Sequence, residues 1–328
     1  MKNSTSMFRN ITLIAIATIS SLLPLSAARA QDFPTKPIKF IVPFPPGSGT
    51  DTSARYFGKK FSELTGQPVV VENRAGANGF IAVKAVLTAP PDGYTVFIGS
   101  NSTLAVNVAL FKQLPYDPVA DFSPLSMLMR APALLIVPAN SPFKTTTDLI
   151  AAAKAQPDKL DYGAGSAGYQ LMAELFNDVA KVQTHHVPYK GASDAISAIA
   201  SNTIHFSFVD ITGASELYKA GKIKALAVAS DKRIASIPEV PTAAQSGLPD
   251  FTAYIWVAAA VHAKTPKSET EKLAALFTKI ETMTETKEFY EKLGAEVMKG
   301  GPDEMRAFQA AEIQLWKRIA AKAKVEQQ

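Results

Sequence analysis

The sequence predicts an α/β fold built as two open-sheet domains joined by two crossings of the chain. Three observations carry that prediction. Short apolar β-type runs alternate with helical patterns from Ile38 onward, the order expected of parallel sheets with helical connections. The same order starts again near Leu134-Leu135-Ile136-Val137. A long apolar run, Tyr254 to Val261, then reads as a strand returning to the first sheet.

The first thirty residues are set aside. Lys2 and Arg9 are followed by a nearly continuous apolar stretch from Ile11 to Ala27, and then by Ala28-Arg29-Ala30. A basic start, an apolar run and an A-x-A site describe a secretory signal peptide, residues 1–30, cut before Gln31. The run is short for a membrane span, and no later stretch is long enough for one. A periplasmic location is expected. The formal charge of +5 falls to +2 once Lys2, Arg9 and Arg29 are removed. Such a balance, with no basic run, argues against nucleic acid as a partner. The 328 residues contain no cysteine, which excludes a disulfide scaffold, thiol catalysis and cysteine-ligated zinc. The remaining chain is long enough for two sizeable cores.

In order, Ile38–Val42 reads as a strand, Asp51–Leu64 as a helix and Val69–Val71 as a strand. A helix near Asn78–Ala89 and a strand at Tyr94–Ile98 complete the first unit. The second unit holds a helix at Thr147–Ala155, a strand at Leu160–Tyr162 and a helix near Gln170–Ala180. Strands follow at His186–Tyr189, His205–Val209 and Ile223–Ala229, with helices starting near Gly191 and Thr212. Beyond Val261 the chain is helical, and Met305, Phe308, Leu315, Trp316 and Ile319 form an apolar stripe for packing on the first domain. The domains are residues 31–132 with 255–328, and 133–254.

Ligands of open α/β sheets sit at the carboxyl ends of strands, so the loops there are the candidates. Phe44 to Asp51 contains Gly47, Ser48, Gly49 and Thr50. Its glycines allow close approach of backbone, and Thr50 or Asp51 is expected to cap the next helix. The exposed amides of a helix start make an anion site. A matching loop, Gly163 to Gln170, brings Gly165, Ser166, Ala167, Gly168 and Gln170. Asn101 and Ser102 follow the third strand, and Asp210 ends the His205–Val209 strand. Asp210 suits either a helix cap or a ligand hydroxyl or amine. Phe44, Pro45, Tyr169 and Trp256 are candidate apolar walls. Helix starts at ~0.3–1 kcal/mol each and charge-assisted hydrogen bonds at ~1.5–3 kcal/mol together reach micromolar affinity, about 8 kcal/mol.

Catalysis has little support. The loop at Gly47 lacks the Lys-Ser/Thr end of a phosphate loop. His185, His186, His205 and His262 contain no H-x-x-x-H pair, so no metal site is expected. Ser48 and Ser166 lack a nucleophile elbow.

Several segments taken together resemble the solute-binding receptors of tripartite tricarboxylate transporters, the Bug-type family. They are Pro37-Ile38-Lys39-Phe40-Ile41-Val42-Pro43-Phe44, Gly66 to Ala77 and Ala89-Pro90-Pro91-Asp92-Gly93-Tyr94-Thr95. Leu114-Pro115-Tyr116-Asp117-Pro118, His186-Val187-Pro188-Tyr189-Lys190-Gly191 and Ile237 to Thr242 continue the pattern. The resemblance implies a type II periplasmic-binding-protein-like clamshell that closes on a carboxylate without chemistry or cofactor. It carries the ligand role to Phe44–Asp51, Gly163–Gln170, the Asn101 loop and Asp210. It also implies a membrane permease of one large and one small subunit as partner; a monomer is expected. The usual Ala-Pro-Gly-Gly reads Pro45-Pro46-Gly47-Ser48 here, and the second loop is shorter, with Tyr169 near its end. That stiffer, more apolar rim leans toward an aromatic carboxylate over an aliphatic di- or tricarboxylate. A sensor that presents its ligand to a membrane kinase shares these features, and a secreted hydrolase is the third reading.

Overall fold

A computed structural model describes residues 33–249 and 251–328. Residues 1–30, read from the sequence as a signal peptide, lie outside the described residues. The unit from Lys36 to Gln328 carries the whole sheet.

β1 (Ile38–Val42) lies between β2 (Val69–Asn73) and β3 (Thr95–Ser100), parallel to both. Ile38, Phe40, Ile41 and Val42 are all buried, the mark of a strand covered on both faces. α1 (Gly49–Thr65) follows β1 and ends at Gly66, whose φ of 70° is the left-handed cap that glycine supplies at least cost. The buried face of α1 carries Ala54, Phe57 and Phe61. Phe57 and Phe61 meet Phe277 with ring centroids 5.8 and 6.0 Å apart, and Phe40 stacks on Phe277 at 5.7 Å. Burying each such ring stabilises by about 1.5–3 kcal/mol, so this cluster ties β1 and α1 to α8 (Lys267–Glu281).

β4 (Phe122–Pro138) joins the two halves of the sheet. Up to Pro132 it pairs antiparallel with β9 (Tyr254–His262), which also pairs with β3. From Ala133 it pairs with β7 (Phe206–Asp210), and from Leu134 with β8 (Ile223–Val228). β5 (Asp161–Ala164) is parallel to β7 and to β6 (His185–Pro188). The strand order is β2-β1-β3-β9-β4-β7-β5-β6, with β8 and the two-residue β10 (Glu296–Val297) also on β4.

The sequence reading starts its second unit at Leu134, but the strand begins twelve residues earlier. Pro124 and Pro132 hid it, because proline inside a run argues against a central strand. The register shifts between Pro124 and Ser126, and again between Met127 and Met129, and these irregularities accommodate the break.

In the second half, α5 (Ala167–Ala180) sets Phe176 against Phe206 and Phe208 at 5.7 Å. α6 (Ala192–Ala200) and α7 (Ile211–Lys219) follow β6 and β7. α9 (Thr284–Lys292) and α10 (Pro302–Lys322) close the chain. The expected stripe on α10 is partly displaced: Leu315 is exposed, while Met305, Gln309, Ile313, Trp316 and Ala320 are buried. Gln309 hid among the apolar positions because its amide is satisfied, donating 2.8 Å bonds to the carbonyls of Leu104 and Pro118.

Candidate functional site

The loop after β1 is organised by two side chains. Ser48 is the N-cap of α1, and its Oγ accepts from the Asp51 amide at 3.2 Å. The expected cap, Thr50 or Asp51, is instead inside the first turn. Asp51 turns away from the cleft. Its carboxylate accepts from the Gly47 amide at 3.0 Å, Arg55 Nε at 3.0 Å and Asn73 Nδ2 at 2.9 Å. Asp51 therefore fixes the loop and occupies Arg55. Gly47, at φ 82°, supplies the turn that brings the helix start round.

After β3 the chain enters an irregular helical turn, Ser102–Val106, of the π type. Inserted turns of this kind re-aim side chains and recur at functional sites. Asn101, at 1 % exposure, leads into it, and neither its Nδ2 nor its Oδ1 has a hydrogen-bond partner. Native proteins rarely leave a buried amide so. Ser102 Oγ donates to Ser166 Oγ at 2.9 Å and accepts from the Gly168 amide at 3.1 Å. These two bonds link the loop after β3 to the loop after β5.

Gly165 packs backbone against backbone, since a Cβ there would stand 2.1 Å from the Gly191 carbonyl carbon. Asp210 caps α7 through the Gly213 amide at 2.9 Å. It also accepts from Tyr169 Oη at 2.5 Å and from Thr212 Oγ1. Burial first, and then the Asp210 carboxylate, push the Tyr169 phenol well above its usual range, so it stays a donor. Asp210 is thus a helix cap, and it also lines the cavity described next.

These elements meet around a cavity of about 10 Å³, room for one water molecule. Of the residues singled out in the sequence, Phe44, Ser48, Gly49, Thr50, Asn101, Ser102, Ser166 and Asp210 line it. Ser100, Tyr169, Ala192 and Ile255 complete the wall. Gly47, Asp51, Gly165, Ala167, Gly168 and Gln170 are not on it. The first three shape the loops, Gly168 offers its amide to Ser102, and Gln170 lies in a neighbouring hollow. Trp256 faces the other way, with Nε1 donating to Glu312 at 2.8 Å and its ring on Phe308. Side-chain alternation along β9 would have chosen Ile255 over Trp256. Ala192 and Ser100 had no signal beyond standing next to a strand end.

The lining is chemically simple. It offers hydroxyls, one amide, the start of α1 and a single carboxylate, with no lysine, arginine or histidine. His185 and His205 gather at Asp161 instead, and among the described residues no cluster suits a metal.

The same fold recurs in solved structures. Rpa4515 from R. palustris, with adipate, shares 32 % identity and a TM-score of 0.87, covering 90 % of this chain and 100 % of that one. The periplasmic binding protein BugD shares 28 % identity at a TM-score of 0.85, covering 90 % and 100 %. MatC from Rhodopseudomonas palustris, with bound malate, shares 30 % identity at 0.83, covering 88 % and 99 %. These likenesses establish the periplasmic-binding-protein-like α/β fold. The model of the tripartite tricarboxylate transporter family receptor matches residues 53–325. The chain belongs to that family of receptors.

Proposed function

We propose that this protein is secreted to the periplasm, where it captures a small carboxylate in the cavity at Asn101 and delivers it to a tripartite transporter. Its permease would have one large and one small subunit. The observation that carries the reading is the buried Asn101 amide without a partner, set among Ser48, Thr50, Ser102 and Ser166. A carboxylate accepting from that amide, from hydroxyls and from the α1 start needs no cation in the wall. The ligand-binding residues proposed are those lining the cavity, with Gly168 and Asp51 holding the loops in place.

Between an aliphatic and an aromatic carboxylate, the related structures support the aliphatic. Phe44 and Tyr169 do supply the apolar surface behind the aromatic lean, but Tyr169 is anchored to Asp210. Both carboxylates held by the related structures, adipate and malate, are aliphatic. The cavity at about 10 Å³ is far below the volume of either class. Binding therefore parts the loops, and the segments 36–132 with 255–328 and 133–254 move as lobes about the two crossings at β4 and β9. Both crossings coincide with the change of partner on β4 at Pro132 and Ala133, which supports those boundaries.

A thermal-shift panel of aliphatic and aromatic carboxylates tests the reading. Ligand at a hundredfold excess over Kd should add roughly 2.7 kcal/mol of stability. If no carboxylate raises the melting temperature, the receptor reading fails; a response to benzoates alone restores the aromatic ligand. Ester turnover lost in Ser166→Ala would instead favour the hydrolase.

A further inference from the structure

Asn101 is aimed by its backbone alone. Its side chain is buried and has no hydrogen-bond partner, so no side-chain bond sets its direction. Ser102 differs, because its hydroxyl is tied to Ser166 and to the Gly168 amide. The direction of Asn101 depends instead on the turn it leads into, Ser102–Val106. That turn is wound wider than an α-helix. The Asn107 amide donates five residues back, to the Ser102 carbonyl. In an α-helix the same amide would take the Thr103 carbonyl.

The turn's carbonyls are met by side chains from outside it. Tyr116 Oη donates to the Thr103 carbonyl at 2.6 Å, and Gln309 Nε2 donates to the Leu104 carbonyl at 2.8 Å. Both donors are themselves fixed. Tyr116 Oη accepts from Asn107 Nδ2 at 3.0 Å, and its ring meets Phe80 and Phe122 edge-on at 6.0 and 6.4 Å. Asn107 Nδ2 also reaches the Asn78 carbonyl at 3.0 Å. Gln309 Nε2 also donates to the Pro118 carbonyl at 2.8 Å. Burial pushes the Tyr116 phenol above its usual range, so the hydroxyl stays a donor. Thr103, Leu104, Asn107, Tyr116 and Gln309 are all buried, so a carbonyl that loses its donor must find another within the protein.

Two registers therefore compete for the turn. Without the Tyr116 hydroxyl, the Thr103 carbonyl is a vacant acceptor, and the Asn107 amide can take it. That step winds the turn toward an α-helix by one residue. It rotates the residues ahead of it by about 100° and shifts them by about 1.5 Å. Resting on the reading of Asn101 as a ligand contact, we propose that Tyr116 and Gln309 are positioning residues of the cavity. By holding the Thr103 and Leu104 carbonyls they keep the wide register, and the register aims the Asn101 amide at the ligand. Neither side chain lines the cavity. The segment Leu114-Pro115-Tyr116-Asp117-Pro118 supplies the Tyr116 hydroxyl and the Pro118 carbonyl that anchors Gln309. Gln309 brings α10 to the same point from 205 residues away.

The test uses adipate as the probe and a double-mutant cycle. Calorimetry compares the intact protein with Tyr116→Phe, Gln309→Leu and Asn101→Ala, and with each of the first two combined with Asn101→Ala. Tyr116→Phe should weaken adipate about five- to tenfold, the effect of one lost hydrogen bond, and Gln309→Leu by a similar factor. In the Asn101→Ala background either change should weaken binding by less than about twofold, because the group it aims is gone. A residue that only supports the fold would weaken binding equally in both backgrounds. A crystal structure of ligand-free Tyr116→Phe should show the Asn107 amide on the Thr103 carbonyl and Asn101 turned from the cavity. Equal losses in both backgrounds, unchanged adipate affinity or an unshifted turn overturns the proposal, whether or not the melting temperature falls. If Tyr116→Phe does not fold, Gln309→Leu carries the same comparisons. If adipate fails to bind the unaltered protein, or binds it and Asn101→Ala alike, the reading of the cavity is wrong. The register of the turn in the ligand-free variant then decides the proposal by itself.

Discussion

Glu281 gives the sharpest physical prediction. It is the last residue of α8, 3 % exposed, and its Oε1 has no partner. Burial raises its carboxyl from 4.5 to about 8, opposed only in part by the Gly300 amide. The groups around it do not relieve the charge. Tyr290, on α9, is fully buried, its hydroxyl is unpartnered, and its own ionisation is pushed up by burial. The folded protein therefore holds Glu281 neutral, and the unfolded chain does not above about pH 4.5.

The contribution of Glu281 to stability is fully present below pH 4.5, where both states are protonated. It declines as the pH climbs toward about 8, and is gone above that. The slope in between is about 1.4 kcal/mol per pH unit, and the whole loss is about 5 kcal/mol. That is comparable with the entire stability of many domains. Glu281→Gln keeps the shape and removes the ionisation. Urea unfolding followed by circular dichroism at pH 5, 6, 7 and 8 should show a falling stability in the unaltered protein and a nearly level one in the variant. The two should agree near pH 5 and diverge most near pH 8. Parallel lines across the whole range would refute the assignment of a buried neutral carboxyl.

Three further predictions concern the site. Asn101→Ala should weaken carboxylate binding about tenfold or more, the loss of one charge-assisted hydrogen bond, while the ligand-free melting temperature holds steady or rises, because an unpaired buried amide is removed; calorimetry and a thermal melt read the two. Gly191→Ala would put a Cβ 2.2 Å from Pro45 Cδ, so the loops should fail to close and affinity should drop with little change in the unfolding transition. Asp51→Asn should release Arg55 and loosen the Gly47 turn, costing about 1–3 kcal/mol in urea unfolding and slowing ligand capture in stopped-flow fluorescence.

The loops were legible in the sequence because each obeys local chemistry. Glycine and serine between an apolar run and a helical pattern mark a strand-to-helix turn wherever they occur, and Ser48, Gly49, Thr50 and Ser166 line the cavity for that reason. Local chemistry does not fix direction. Asp51 and Thr50 are neighbours on α1, yet Thr50 faces the cavity and Asp51 holds Gly47, Arg55 and Asn73. That outcome depends on Asn73, at the end of a strand brought alongside by the sheet. Tyr169 reads from the sequence as an apolar wall alone, because its bond to Asp210 spans 41 residues of chain. The first half of β4 was hidden by its prolines, and only the β9 pairing reveals it.

The unpaired atoms of the structure separate into two kinds with opposite consequences. Glu281 Oε1 and Tyr290 Oη sit in a core of rings behind α1, where no solute enters, and their desolvation is a standing cost to stability. Asn101 is as deeply buried, but it stands on a wall with Ser48, Thr50, Ser102 and Ser166. There the same cost is recovered when an acceptor and donor arrive together. A carboxylate can take the Nδ2 hydrogens, and a water or a ligand hydroxyl can serve Oδ1. Held between the two loops, such an assembly is out of solvent, which strengthens each bond. A receptor that binds through neutral groups in this way distinguishes its ligand by shape and by pairing.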